Sequence, residues 1–231
     1  KFETRAKFLP IDLTDRQSCL DQLETLPHIT HAFYAACKQY TKWEEAAEPN
    51  IQMFKNGIDG LINAAPSLKN ITIIQGPQYY GAHLGPYKTP SKENDPHHMP
   101  PNFFYSQEDY LRHLQRGSSW SWSAVRPQTV CSSAIGGALN LTLLISVYAT
   151  ISKELGLPLR WPGDIGAYNK VYQVTDSNIL GKASVWVSVK PDCAGQAYNI
   201  SNGDVFRWES MWKCIADYFR MELAAPQPIK L

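Results

Sequence analysis

The sequence lacks the glycine-rich turn that holds a pyrophosphate in most dinucleotide-binding folds, because neither GxGxxG nor GxxGxxG occurs among its 231 residues. In the usual strand order of such a fold, the strand before this turn lies at the centre of the sheet. The sheet is therefore expected to be incomplete or re-paired, and unpaired strand edges would favour a homodimer. The sequence starts at Lys1 and not at Met, so it leaves the true start of the gene product open.

Excess charge and long apolar runs are also absent. The chain carries 22 basic and 21 acidic residues, a formal net charge of +1, so no basic patch for nucleic acid or for an anionic membrane surface is expected. The longest apolar run, from Leu141 to Ile151, contains Thr142, Ser146 and Thr150 and is too short to span a bilayer. No signal peptide is visible. These absences predict a cytoplasmic protein with no membrane span and no nucleic-acid partner.

Metal-ligand spacing is missing too. The five cysteines are odd in number, widely spaced and without a CxxC pair, which favours reduced thiols in an intracellular protein. Asp95, His97 and His98 lie close together in the sequence, but adjacent histidines point in different directions unless the loop turns. We therefore expect no metal site.

Hydrophobic periodicity divides the chain into alternating strands and helices. Strands are predicted at 6–11, 29–37, 70–74 and 120–126, helices at 16–26, behind Pro49, at 106–115, 139–155 and 208–219, and short elements at 157–161, 183–189 and 197–200. This alternation favours an α/β fold with a Rossmann-like, doubly wound parallel sheet. One integrated domain is expected, with a core at 1–135 and a segment at 136–231 that completes the core and forms a small substrate lobe. The long irregular stretch 75–101 is expected to be functional.

Several motifs in the chain resemble those of one family. The segments that carry this resemblance are Asn199-Ile-Ser-Asn-Gly-Asp-Val-Phe-Arg-Trp208, Pro101-Asn-Phe-Phe-Tyr-Ser-Gln-Glu-Asp109, Ser119-Trp-Ser-Trp-Ser-Ala-Val-Arg-Pro127 and the stretch 76–86 with its His-Leu-Gly-Pro. They are similar in order and spacing to motifs of the progesterone 5β-reductase and iridoid synthase (PRISE) family, and look more like its fungal members. The resemblance implies the fold of extended short-chain dehydrogenases, incomplete at the N-terminus.

The resemblance also implies a chemistry and shows where this chain departs from it. Members of the family reduce a carbon–carbon double bond conjugated to a carbonyl with hydride from a nicotinamide cofactor, while a Lys ammonium and a Tyr phenol stabilise the negative charge on the carbonyl oxygen. Gln78 stands at the position of that Lys, and Phe104 at the position of that Tyr. Tyr79 replaces the family's His, whereas Tyr80 and Tyr105 keep the Tyr that follows each position.

These replacements favour a redox-neutral reaction. Neutral donors withdraw electron density from an enone, which lowers the barrier to cycloaddition or rearrangement as well as to reduction. The first hypothesis is therefore an enzyme of specialised metabolism that binds a hydrophobic enone or enal and promotes its cyclisation or isomerisation without a cofactor. Its catalytic residues would be Gln78, Tyr105, Tyr79 and Tyr80. The alternatives are an NADPH-dependent ene reductase, in which Tyr105 or Tyr80 substitutes for the missing phenol, and a catalytically silent binding protein.

Further residues are candidates for binding. Phe104, Trp161 and Tyr168 are predicted to line the substrate pocket, the last two because the resemblance places their segment on the substrate lobe; such aromatic residues are also frequent in cores. If a nucleotide is bound, Asp12 and Arg126 would contact it. Asp12 is equally explained as the N-cap of the helix that follows it.

Overall fold

The computed structural model describes residues 6–133 and 140–227, and the chain divides into two compact units. The first unit comprises Lys1–Arg126 with Ser184–Asn199, and the second comprises Pro127–Ala183 with Ile200–Leu231. The boundary expected near residue 135 stays a prediction. Among the described residues, no helix is both long and apolar enough to cross a membrane.

The elements follow the predicted alternation. In chain order they begin with α1 Arg16–Leu23, β1 His31–Tyr34, α2 Trp43–Ala64, β2 Asn70–Ile74, a 3₁₀ turn Pro77–Tyr80, α3 Phe103–Leu114, β3 Ser121–Pro127 and β4 Thr129–Cys131. They continue with α4 Leu141–Glu154, α5 Ile165–Asn169, β5 Val171–Tyr172, β6 Val174–Asp176, α6 Ser177–Val189, a 3₁₀ turn Pro191–Cys193, β7 Ala197–Ile200, β8 Phe206–Arg207 and α7 Trp208–Phe219.

The main sheet has the strand order β1-β2-β3-β7. The pairs β1/β2 and β2/β3 are parallel, with His31 opposite Asn70 and Ile71 opposite Trp122. Successive residues Asn70 to Ile73 are all buried, so both faces of β2 are covered, as expected for a central strand of a parallel sheet. The predicted Rossmann-like α/β fold with a parallel sheet is confirmed.

Two helices cover the core of the first unit. Apolar residues of α2 recur every three or four positions and face the sheet. The buried core consists of Ile51, Phe54, Ile58, Leu61, Ala65, Leu68, Ile71, Ile73, Leu111, Trp120, Trp122 and Ala124. Leu111 anchors α3 to this cluster and is fully buried. Helix α3 is thus held rigidly beside the sheet, which fixes the residues at its N-terminus.

Three local predictions are wrong. Residues 6–11 form no strand, because a strand needs a hydrogen-bonded partner and none of the described strands pairs with them; Phe8 is 90% exposed. Helix α2 does not start behind Pro49 but contains it, so the hydrogen bond that a residue other than proline would donate at this position is missing. The short element expected at 183–189 is the second half of α6. The predicted helix 139–155 partly falls outside the described residues.

The second unit has its own apolar core between α4, α5 and α7. Its buried members are Ala149, Leu159, Tyr168, Trp208, Trp212 and Ala216. Two short sheets accompany these helices: β4 pairs with β6 in parallel, and β5 pairs with β8 in antiparallel. The predicted helix at 208–219 matches α7 at both ends.

Candidate functional site

The 3₁₀ turn Pro77–Tyr80 directly follows the carboxyl end of β2. In open α/β sheets, ligands bind beyond the carboxyl ends of parallel strands, because the loops that connect to the helices leave a crevice there. Gly81 ends the turn with φ +90°, and a Cβ at this position would lie 2.5 Å from the His98 imidazole. Only glycine therefore allows the turn and the His98 loop to approach this closely.

Gln78 is half-buried in this turn, and its backbone is fixed. Asn102 Nδ2 donates a hydrogen bond to the Gln78 backbone carbonyl (2.9 Å). Asn102 Oδ1 accepts a hydrogen bond from the Phe104 backbone N (3.0 Å) and so caps the N-terminus of α3. Among the described residues, the Gln78 side-chain amide has no hydrogen-bond partner. The turn thus carries an uncommitted amide on a fixed backbone.

The hydroxyl of Tyr105 is committed to the local backbone. It donates to the Tyr79 carbonyl (2.5 Å) and accepts from the His98 backbone N (2.9 Å). The His97 ring stacks on the Tyr105 ring, with centroids 4.0 Å apart and planes 6° apart. Tyr105 is buried and ties the turn, the 97–98 loop and α3 together. Its role as a donor to a substrate stays a prediction, and in this arrangement its proton is already bound.

A buried ion pair forms the floor beneath the turn. Arg126 Nη2 donates to Glu108 Oε1 at 2.7 Å, and both side chains are at most 2% exposed. Arg126 Nε also donates to Gln75 Oε1 (2.9 Å), and Nη1 donates to the Tyr80 hydroxyl (2.9 Å) and to the Glu93 carbonyl (3.1 Å). Burial alone would lower the pKa of Arg126, but the Glu108 charge and the hydrogen bonds to Tyr80 and Glu108 raise it. Arg126 therefore stays charged and is engaged by protein groups.

The two tyrosines of the turn rest on Arg126. The guanidinium carbon lies 3.4 Å from the centroid of the Tyr79 ring, a cation–π contact, and the Tyr80 hydroxyl donates to Asn199 Oδ1 at 2.6 Å. Burial raises the pKa of Tyr79 to about 12, and burial also raises the pKa of Tyr80. Both phenols are protonated at neutral pH. The predicted set Gln78, Tyr79, Tyr80 and Tyr105 is close in space, but Tyr80 and Tyr105 hold the scaffold.

Phe104 lies in an aromatic cluster at the start of α3. Its ring centroid is 4.5 Å from Phe103 and 5.9 Å from Trp43, and Trp43 lies 4.4 Å from the His83 ring. Trp43 Nε1 and His83 Nδ1 are buried without a hydrogen-bond partner among the described residues. Burial lowers the pKa of His83, with a further contribution from His98. The unpaired His83 Nδ1 and Trp43 Nε1 thus lie in the aromatic cluster that contains Phe104.

Asp12 is exposed and does not cap α1. Its Oδ1 accepts from the Thr14 backbone N (2.9 Å) and hydroxyl (2.7 Å), and Asp15 caps the helix through Gln17 N. The Thr14 hydrogen bonds lower the pKa of Asp12, and the Lys38 charge adds to this. The N-cap interpretation of Asp12 is wrong, because the N-cap is Asp15 and the helix begins at Arg16. Its contact with an adenine stays a prediction.

Trp161 and Tyr168 belong to the second unit. Trp161 lines a cleft of about 310 Å³ together with Leu144, Tyr148, Tyr172 and others of that unit. Its ring lies 5.0 Å from Trp212 at 88°, and its Nε1 donates to the Asp164 carbonyl (3.0 Å). Tyr168 is buried in the core and is not among the residues that line the cleft. A substrate contact by either residue stays a prediction.

Residues 95–98 show no ligand arrangement for a metal. In the described part of the chain, no group of three or more His, Cys, Asp or Glu residues is placed to hold a metal ion. Asp95 pairs with Lys88, and hydrogen bonds from Lys88 and from the Lys92 backbone lower the pKa of Asp95. His97 instead stacks on Tyr105.

The parallel sheet, with a polar turn at the carboxyl end of β2, defines a Rossmann-like α/β protein. The PRISE-like Rossmann-fold domain matches residues 14–228, and the chain belongs to this family. It is 32% identical over 219 residues to the short chain dehydrogenase gsfE from Penicillium aethiopicum, covering 93% of this chain and 58% of that protein. It is 33% identical over 222 residues to an (S)-8-oxocitronellyl enol synthase from Nepeta racemosa, covering 93% and 56%.

The chain therefore spans somewhat more than half the length of these relatives. Among solved structures, RMD from Pseudomonas aeruginosa complexed with NADPH has a TM-score of 0.73 at 18% identity, covering 97% of this chain and 79% of that one. This likeness shows the shared fold.

The prediction that no cofactor takes part is contradicted. Solved structures with this fold hold NADPH, NADP or NAD, which points to a nicotinamide cofactor. The loops that follow β1 and β2 lie at the carboxyl side of the sheet, where Rossmann folds bind such a group. Gln78 lies in the loop after β2, Lys38 lies in the loop after β1, and the Lys38 charge acts on the Asp12 carboxylate. The Arg126 guanidinium is engaged by protein acceptors, and its contact with a nucleotide stays a prediction.

Sequence reasoning missed several residues that build the site: Glu108, Gln75, Asn102, Asn199, Trp43 and His83. One signal was available for Glu108. It lies four residues after Phe104 and three before Leu111, so helical spacing places it on the buried face of α3. A buried carboxylate requires a cationic partner, and Arg126 was the basic residue of the neighbouring motif.

Proposed function

We propose that the protein is a nicotinamide-dependent enzyme of specialised metabolism that reduces the double bond of a hydrophobic enone or enal, with Gln78 as the hydrogen-bond donor to the substrate carbonyl. One observation carries this proposal. Of the four polar side chains expected at the site, Gln78 has an amide without a partner among the described residues, and the turn that holds it lies where Rossmann folds bind ligands.

The chain's own contribution is to orient the substrate carbonyl and stabilise the charge that develops on its oxygen. A nicotinamide, when bound, supplies the hydride. The backbone that carries the Gln78 side chain is held in place, because Asn102 donates to the Gln78 carbonyl and Tyr105 donates to that of Tyr79. The amide N–H would bond to the substrate oxygen and stabilise the charge that develops there.

A second candidate, redox-neutral cyclisation or isomerisation, is favoured by the pair of replacements at Gln78 and Phe104. A neutral amide stabilises a full enolate charge less than an ammonium does. Cyclisation of a polarised enone develops less negative charge on the substrate carbonyl oxygen. It therefore depends less on the Lys ammonium that the family has at the position of Gln78. The names of the relatives, a dehydrogenase and an enol synthase, favour the reductase.

Isotope transfer separates these candidates. The protein is incubated with NADPH that carries two deuterium atoms at carbon 4 of the nicotinamide and with a panel of neutral enones and enals. The products are analysed by mass spectrometry. Reduction gives a saturated carbonyl compound with one deuterium, and isomerisation gives a product of unchanged mass without loss of NADPH. If no substrate of the panel is converted, both the reductase and the isomerase proposals are refuted, and the catalytically silent binding protein is the hypothesis that stays.

Two variants test the role of Gln78. Gln78→Ala should lower conversion by roughly 100-fold, the effect of losing one preorganised donor. Gln17→Ala, on the exposed surface of α1, serves as the control and should convert at the wild-type rate. Gln78→Lys should accelerate hydride transfer if the reductase proposal holds. Equal rates for Gln78→Ala and Gln17→Ala would contradict the assignment of Gln78.

A further inference from the structure

The first unit contains a polar cavity of about 480 Å³ between α3, the end of β3, the loop 93–97 and residues 195–197. Its volume lies within the range of pockets that hold small molecules, about 300 to 1,000 Å³. Gly195, which lines it, donates its backbone N–H to the carbonyl of Trp122, the second residue of β3 (2.7 Å). The cavity therefore reaches toward the amino end of β3, whereas Gln78 follows the carboxyl end of β2 and is not among the lining residues.

The lining carries charges of both signs. Its charged residues are Glu93, Asp95, Glu108, Arg112 and Arg126. Glu108 and Arg126 compensate each other as the buried ion pair described above. The Asp95 carboxylate is engaged by the Lys88 ammonium and by the Lys92 backbone N (2.8 Å). The charges that remain for a ligand are therefore one carboxylate, that of Glu93, and one guanidinium, that of Arg112.

Glu93 is held in place but keeps an unpaired charge. Its Oε1 accepts from the Asn199 backbone N (2.8 Å), and its backbone carbonyl accepts from Arg126 Nη1 (3.1 Å). Within the described part of the chain, Glu93 Oε2 has no hydrogen-bond partner and no Lys, Arg or His forms an ion pair with Glu93. A partly buried carboxylate of this kind is stabilised by a cationic N–H donor.

Arg112 supplies a positive charge with unused donors. Its guanidinium carbon lies 4.6 Å from the centroid of the Trp122 ring, a cation–π contact that restrains the side chain. Its Nη2 is 3.5 Å from Glu108 Oε2, a long contact to a carboxylate that Arg126 already holds at 2.7 Å. A guanidinium binds a carboxylate through two parallel N–H groups. The Arg112 side chain therefore suits a carboxylate of a ligand.

We propose that this cavity binds a small zwitterion, an α-amino acid, whose ammonium contacts Glu93 and whose carboxylate contacts Arg112. A ligand with a single charge would satisfy one of these residues and meet the like charge of the other, whereas a zwitterion satisfies both. At about 30 Å³ for each non-hydrogen atom, the cavity holds roughly 16 such atoms, enough for any common amino acid. The proposal goes beyond the reaction proposed above, because it involves neither Gln78 nor a cofactor.

Isothermal titration calorimetry of the wild-type protein with each common L-amino acid tests binding. For every amino acid that binds, its amide, which keeps only the ammonium, and its N-acetyl derivative, which keeps only the carboxylate, are titrated at about pH 6.5, where the amine is charged. Each derivative loses one charge-assisted contact and should bind about tenfold more weakly or worse. The absence of binding by every amino acid up to millimolar concentration, or equal affinities of an amino acid and its derivatives, would overturn the proposal.

Variants of the two lining residues locate the site. Glu93→Gln keeps an acceptor for the Asn199 backbone N but removes the charge, and Glu93→Gln and Arg112→Gln should each weaken binding about tenfold. Arg112→Lys keeps the charge and should bind more tightly than Arg112→Gln. Glu48→Gln and Arg116→Gln make the same changes at exposed positions outside the lining and should bind like the wild type. Equal affinities of the lining and control variants would contradict the assignment.

Discussion

Replacing Glu108 by glutamine tests the buried ion pair beneath the candidate site. Glu108→Gln keeps the size of the side chain but removes the charge that compensates Arg126, whose remaining acceptors, Gln75, Tyr80 and the Glu93 carbonyl, are neutral. Breaking a buried pair by removing one partner typically destabilises a protein by about 3 to 5 kcal/mol. The amide still offers one acceptor to Arg126, so we expect a loss near 3 kcal/mol.

Urea unfolding followed by circular dichroism measures this loss. With an m-value of about 3 kcal/mol per molar urea, the midpoint should fall by about 1 M. The control is Glu45→Gln, because Glu45 pairs with Lys42 at 3.7 Å with more than half of each side chain exposed. Exposed pairs contribute at most about 1 kcal/mol, so its midpoint should change little.

The double variant Glu108→Gln/Arg126→Met identifies the physical cause. It removes the buried charge together with its partner and should therefore be less destabilised than Glu108→Gln alone, because most of the loss comes from the uncompensated guanidinium. A midpoint of Glu108→Gln within roughly 0.3 M of wild type would refute the reasoning. So would a double variant that is less stable than the single one.

Three further predictions concern the neighbouring groups. Asn102→Ala removes the N-cap of α3 and the contact with the Gln78 carbonyl, and should lower the free energy of unfolding by about 1 to 2 kcal/mol in urea titrations; a loss below about 0.3 kcal/mol would contradict it. The lowered pKa of His83 means that the folded state binds fewer protons than the unfolded state, so stability should fall as the pH drops below about 6.5 and this pH dependence should be smaller in His83→Gln, as measured by thermal melts; an identical dependence in both proteins would argue against it. Phe104→Tyr places a hydroxyl beside the unpaired Trp43 and His83 and should increase enone reduction in the isotope assay, whereas unchanged conversion would show that the phenol position is no longer part of the site.

The sequence was sufficient for elements with strong local patterns. Strand β2 was predicted to the residue because its apolar run is bounded on both sides, and α7 because its aromatic residues recur at helical spacing. Residues 6–11 have an equally apolar pattern but no strand partner, and a strand is defined by pairing that local sequence does not encode.

The candidate site was only partly visible in the sequence. The family motifs singled out Gln78, Tyr79 and Tyr80, and the structure places all three in one 3₁₀ turn. The sequence did not predict the hydrogen-bond partners of the tyrosine hydroxyls. Tyr105 bonds to a carbonyl 26 residues away, and Tyr80 bonds to an amide 119 residues away. Local patterns do not report contacts over such separations. The network around Arg126 therefore emerged from the fold.

The most direct test of the central claim is a titration of the purified protein with NADPH, following nicotinamide fluorescence and thermal stability together. Binding stabilises the folded state by RT ln(1 + [L]/Kd), about 2.7 kcal/mol at a ligand concentration of 100 Kd. We predict a saturable fluorescence change and a rise in the melting temperature that give the same Kd. The absence of both changes up to millimolar NADPH would contradict a nicotinamide-dependent enzyme.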